Sequence, residues 1–87
     1  MTLTFPNSSR SFDEVRNAVR FIGHDGMFEV PFFVETGALA SPGRTKLSEA
    51  DFLAAFDAAR SSIHDVAREA YSHGRRTSYI LTAADFR

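Results

Sequence analysis

Apolar residues follow two different periods along this chain. From Ala18 to Glu35 the period is two. Val19, Phe21 and Gly23 alternate with Ala18, Arg20, Ile22 and His24; then Phe28, Val30, Phe32 and Val34 alternate with Met27, Glu29, Pro31, Phe33 and Glu35. Alternation on both sides of Asp25-Gly26 predicts a β-hairpin. Burying one face limits its register. A two-residue Asp25-Gly26 turn pairs Phe21 with Val30, and a four-residue loop from Gly23 to Gly26 pairs Phe21 with Phe28. A three-residue loop sets Phe21 against Glu29, which burial forbids. The four-residue loop is preferred, because it also places Arg20 opposite Glu29 as a cross-strand ion pair. Pro31 has no N–H for a ladder, so the second strand has a free side there, a bulge, or an edge position.

From Ser48 to His73 the period is helical. Phe52, Phe56, Ala59, Ile63, Val66, Ala67 and Ala70 fall within an arc of about 100°, with Asp57, Ser61, Asp65, Arg68 and Glu69 opposite. Ser48 suits the N-cap, Glu49 and Asp51 suit the first turn, and Gly74 suits the stop. At about 26 residues the helix would be ~39 Å long, so a kink near Arg60-Ser61-Ser62 is expected. Thr77 to Thr82 reads as a further strand, with Tyr79 and Leu81 on one face and Ile80 on the other. Thr82-Ala83-Ala84-Asp85 predicts a terminal helical turn carrying Phe86, and Gly37 to Ala40 a short turn within the connector. Residues 1–11 form an extended arm or an edge strand, and Ser11-Phe12-Asp13-Glu14 has the spacing of a capping box. The predicted fold class is α+β: one domain, residues 1–87, with a small antiparallel sheet (hairpin plus C-terminal strand) packed on one face by a long amphipathic helix.

Composition narrows the function classes. The 87 residues include nine Phe and two Tyr, enough large side chains for a core, and no Cys. Disulfides, Cys-type zinc sites and thiol nucleophiles are therefore excluded. The net charge of −1 argues against a nucleic-acid binder that works by bulk electrostatics. No apolar run is long enough to span a membrane, and the first ten residues lack the pattern of a signal peptide, so the expected location is the cytoplasm.

Several segments together carry a family resemblance: Leu3-Thr4-Phe5-Pro6-Asn7, Ala18-Val19-Arg20-Phe21, Gly23-His24-Asp25-Gly26, Glu29-Val30-Pro31-Phe32-Phe33-Val34, and Tyr79-Ile80-Leu81-Thr82-Ala83-Ala84-Asp85-Phe86. With these, the chain resembles the bacterial domain-of-unknown-function (DUF) family 1488. Ile22 stands where the family pattern leads one to expect an aromatic. The resemblance implies a small bacterial α+β domain and carries no activity and no catalytic residues.

The search for chemistry yields few candidates. His64 and His73 are nine residues apart and face opposite sides of a helix, so they cannot share a metal. His73 with Glu69 supplies two ligands where zinc needs three or four. Gly37 to Thr45 superficially suggests a phosphate loop, but its glycines are one residue too far apart and Arg44 replaces the required Lys. No nucleophile elbow occurs. No catalytic residue, metal or cofactor is assigned, and the balance favours a non-catalytic chain.

Three functional readings remain. The first is an interaction or assembly domain, a homodimer through the sheet face away from the helix, where Ile22, Met27 and Phe33 are candidate interface residues. Cover of that face by the N-terminal arm or the C-terminal turn is the competing explanation. The second is a nucleic-acid-associated regulator using Arg75, Arg76 and Tyr79, with Tyr79 as an exposed stacking platform. The third is a small-ligand or partner site at Arg20, His24, Asp25 and Glu29, whose plainer explanation is a cross-strand ion pair beside a turn.

Overall fold

A computed structural model describes residues 3–6, 9–39, 47–74 and 76–86. In chain order the protein runs β1 (Leu3–Thr4), β2 (Arg10–Asp13), β3 (Ala18–Asp25), β4 (Phe28–Glu35), α1 (Thr36–Leu39), α2 (Glu49–Ala58), α3 (Arg60–Ser72), β5 (Tyr79–Leu81) and a 3-10 turn (Ala83–Phe86). The fold is α+β, a five-stranded sheet packed against helices.

The β3–β4 hairpin is the centre of the sheet. Its register differs from both predicted ones: Phe21 pairs with Phe32, Val19 with Val34 and Asp25 with Phe28, around a two-residue turn at Gly26-Met27. Gly26 has φ 62 and occupies the first central position, where a type II′ hairpin turn requires glycine. This register extends the ladder to eight residue pairs. It shares its parity with the predicted registers, so the expected side chains still face the helices. The expected Arg20–Glu29 pair does not form: Arg20 lies opposite Phe33, and Glu29 opposite His24.

The N-terminal segment forms an interrupted edge strand along β3. β1 pairs with Asp25 and His24, and β2 pairs with residues 18–21. The capping-box reading of Ser11 to Glu14 is thereby overturned. Asp13 instead stabilises the turn after β2, accepting the Arg16 N–H at 3.1 Å and its guanidinium at 2.9 Å. Both contacts hold the Asp13 carboxyl below its ordinary pKa. Asn17 closes this turn with φ 50, a left-handed conformation that Asn tolerates.

Beyond β4 the connector forms the expected short helix, α1. A parallel neighbour needs a long crossover, and the helical region supplies it. β5 therefore runs parallel to β4, with Phe32 beside Tyr79 and Val34 beside Leu81, and the sheet is mixed rather than antiparallel throughout. β5 reaches only residues 32–34 of β4, so the outer side of residues 28–31 has no strand partner among the described residues. That open stretch contains Pro31, which has no N–H to leave unpaired.

The predicted single helix is two helices. Ser48 caps α2 in a capping box: its Oγ accepts the Asp51 N–H at 3.2 Å, and the Asp51 carboxylate accepts the Ser48 N–H at 2.9 Å. The break falls at Ala59 (φ −107, ψ 12), one residue before the expected kink. An unbroken helix of ~39 Å would equal the molecule's longest dimension, 39 Å. Broken, it wraps the sheet: α2 buries Phe56, and α3 buries Ile63 and Ala67. At the C-terminus Thr82 and Asp85 form the predicted cap, with the Thr82 N–H donating to the Asp85 carboxylate at 2.7 Å.

The core lies on one sheet face. The Phe32 ring stacks on Phe21 (centroids 5.3 Å apart) and on Tyr79 (5.1 Å), and Phe21 meets Phe56 at 5.1 Å. Phe5 crosses the same face, 6.1 Å from Phe32. It does so because β3 has a glycine beneath it. A Cβ on Gly23 would lie 3.0 Å from both Leu3 Cδ1 and Phe5 Cε1, and 3.1 Å from Phe32 Cε1. Gly23 is thus a packing residue inside a strand, not the start of a loop. Polar ties hold the same edge in place. Arg10 on β2 makes two hydrogen bonds to Asp57 on α2, at 3.0 and 2.8 Å, and Arg60 donates to the same carboxylate at 2.6 Å. The Arg10 hydrogen bond above all, joined by Arg60, keeps the Asp57 carboxyl below its ordinary pKa against the opposing effect of desolvation. Arg68 Nε donates to the Leu3 carbonyl at 3.3 Å.

Gly23→Ala is expected to lower unfolding free energy by about 1–3 kcal/mol through overpacking. Gly37→Ala, where an added Cβ meets nothing within 4 Å, should leave stability unchanged or raise it slightly. Urea unfolding of the two variants beside the parent checks the contrast.

Candidate functional site

The tight Gly26-Met27 turn fixes the geometry at one end of the molecule. It joins β3 to β4 beside the end of α3. Asp25 points to the helix-covered face, and the Tyr71 hydroxyl in the last turn of α3 donates to its carboxylate at 2.5 Å. A hydrogen bond to a charged acceptor is stronger than a neutral one, so this contact pins the hairpin tip to the helix. Behind it, the Tyr79 hydroxyl donates to the Gly74 carbonyl at 2.5 Å and accepts the Arg76 N–H at 3.0 Å, which fixes the segment leading into β5.

Between the tip and that segment lies a groove of about 820 Å³. Val30 and Tyr71 line its apolar floor, while Asp25 and Glu29 stand on the hairpin side and Arg76 on the other. Met27 and Phe28 project beside it, 97% and 76% exposed. Phe28 has the parity of the buried face, as the sequence predicts, but stays in solvent at the rim of the groove.

The structure divides the predicted ligand cluster. Asp25 and Glu29 reach the groove. His24 and Glu29 are opposite each other with the parity of the far sheet face, whereas Asp25 has the parity of the helix face. Arg20 is four residues along β3 from His24, about 13 Å away, and does not join them. Tyr71 is the site residue that the sequence reasoning missed. It is four residues from Ala67, at the margin of the apolar helix stripe, and that spacing was the available signal.

The other candidates fare differently. Tyr79 is 4% exposed, stacked on Phe32 with its hydroxyl engaged. It cannot serve as the exposed stacking platform of the nucleic-acid reading. Arg76 is exposed, and Arg75 lies outside the described residues. Of the candidate interface residues, Phe33 is 7% exposed and covered by the Arg16 guanidinium, 4.7 Å from its ring centroid. Ile22 is half-buried, and only Met27 is open to solvent. The two aromatic side chains expected to cover that far face do not: Phe5 and Phe86 both pack against the core cluster. Most of the suggested phosphate loop, residues 40–45, lies outside the described residues, and Gly37 sits in α1. His73 contacts Glu69 at 2.9 Å, and no three metal-ligating side chains converge among the described residues. No helix there is long and apolar enough to cross a membrane.

The matching segments extend across this whole architecture. The family model for a protein of unknown function, DUF1488, matches residues 3–82 of the 87. The chain belongs to the DUF1488 family. The match runs from β1 through β5, so the hairpin, the groove and the helices are all parts of the DUF1488 domain. No curated protein and no solved structure matches the chain.

One titratable group of this DUF1488 domain has a clear environment. The His64 ring stacks on Phe5 with centroids 3.9 Å apart and planes within 7°. Burial lowers its pKa from the ordinary 6.5, and the positive charges of Arg60 and Arg68 lower it further, outweighing Asp65. The folded state therefore disfavours the imidazolium. His64 destabilises the fold progressively as pH falls below about 6.5, because the unfolded chain then binds more protons, until the lowered folded pKa is reached. Urea unfolding at pH 7.5 and 5.5 is expected to show a larger loss for the parent than for His64→Gln; equal losses would refute this.

Proposed function

We propose that this DUF1488 domain is a small non-catalytic interaction and assembly module that acts as a homodimer. The observation that carries the reading is the presentation of Met27 and Phe28 on a tight, helix-anchored turn beside an apolar groove. Large apolar side chains held together in water are a hallmark of surfaces that bind other macromolecules. The polar groups nearby support recognition better than reaction. Asp25 is engaged by the Tyr71 hydroxyl in a contact that fixes the hairpin tip to α3.

A second reading, a small-ligand site, draws on the groove volume, which lies within the usual range for ligand pockets. It keeps Asp25 and Glu29 of the predicted ligand site, drops Arg20 and His24, and adds Tyr71 and Arg76. Such pockets enclose most of their ligand, whereas two of the largest apolar side chains here project outward. The assembly reading accounts for that projection and is preferred.

Size-exclusion chromatography with light scattering, run over a range of loading concentrations, tests the assembly reading. The parent mass is expected to rise towards twice that of the monomer, and Met27→Asp should hold it at the monomer value with an unchanged circular dichroism spectrum. A parent that remains monomeric at every concentration overturns the proposal.

A further inference from the structure

The hairpin-tip surface carries both halves of a self-complementary contact. Met27 and Phe28 are highly exposed and form one wall of a hollow that Val30 and Tyr71 also line. Glu29 stands on one side and Arg76 on the other. Neither makes an ion pair within the protomer among the described residues, unlike Arg10, Arg16, Arg60 and Arg68. A surface with exposed apolar side chains, a hollow and both charges is what a two-fold contact uses, since each element meets its complement twice.

The backbone argues against the obvious alternative, continuation of the sheet. β4 has an open outer side over residues 28–31. In a two-residue hairpin the flanking pair, Asp25 and Phe28, exchanges hydrogen bonds, so Glu29 and Pro31 turn their backbone groups outward. Pro31 has no N–H, which leaves Glu29 alone as an outward donor over this stretch. An added strand would find too few partners, so the contact is made by side chains. The far sheet face is a weaker contact surface, because Phe33 is already covered by Arg16 and Ile22 is half-buried.

Resting on the homodimer reading, we propose that the dimer is isologous and formed tip to tip. Met27 and Phe28 of each protomer enter the hollow of the other, and Glu29 of each faces the partner's Arg76. A standard stable interface takes about 800 Å² from each partner, about one seventh of this protein's 5736 Å² surface. A contact confined to the tip and groove that falls short of this area gives a weak, strongly concentration-dependent dimer.

Charge reversal tests the arrangement. Sedimentation velocity would compare the parent with Glu29→Arg, Arg76→Glu and the double variant, each checked for folding by thermal melt. Each single reversal sets like charges together twice and is expected to weaken dimerisation by about tenfold or more. The double variant should recover to near the parent affinity. Dimerisation of the parent with unaffected single variants, or a double variant no better than either, overturns the tip-to-tip arrangement and leaves the homodimer reading standing. A parent that never dimerises overturns both.

Discussion

The burial of one aromatic layer organises this protein. Phe32 sits fully buried at the middle of β4, stacked between Phe21 and Tyr79, and Phe5 approaches the same ring. β3 contributes Phe21, β5 contributes Tyr79, and the N-terminal segment contributes Phe5. From the helical side, Phe56 closes on Phe21. An 87-residue chain has little other apolar surface to bury, and large rings bury the most per residue ordered. The accommodating details follow from this layer. Gly23 omits a side chain so that Leu3 and Phe5 can lie on β3. The helix breaks at Ala59, which lets α2 and α3 each lay a buried side chain, Phe56 and Ile63, against a sheet shorter than one unbroken helix would be.

The same layer sets where the surface is left open. The hairpin strands are eight residues long, while β5 covers only three residues of β4. The last strand pairs before the turn therefore extend past the neighbouring strand, with only the end of α3 reaching them. Phe28 has the parity of a core residue and no core to enter. Tyr71 anchors this overhang through Asp25, which lets the tip hold its apolar side chains in place instead of folding back. The proposed contact surface is thus a consequence of unequal element lengths, stabilised by one charged hydrogen bond. The opposite edge of β3, closed by β1 and β2 and tied to α2 by Arg10 and Asp57, has no comparable overhang.

The sequence by itself determined the hairpin's inward and outward faces, the apolar stripe of the helices, the Ser48 cap, the Thr82–Asp85 cap and the family. Each is a local property: a period of two, a period of 3.6, or a polar side chain three residues from the N–H it accepts from. The hairpin register required the tertiary structure, because registers two residues apart bury the same side chains and differ in their cross-strand partners and in which two residues make the turn. The direction of β5 also depended on how the helices cross back over the sheet, which no local pattern records. The candidate site was half legible. Asp25, Met27 and Glu29 stood out at a turn, but Arg20 was drawn in by the wrong register. Tyr71 and Arg76 come from a segment more than forty residues away, and only the docking of α3 against β3 and β4 brings them beside the hairpin tip.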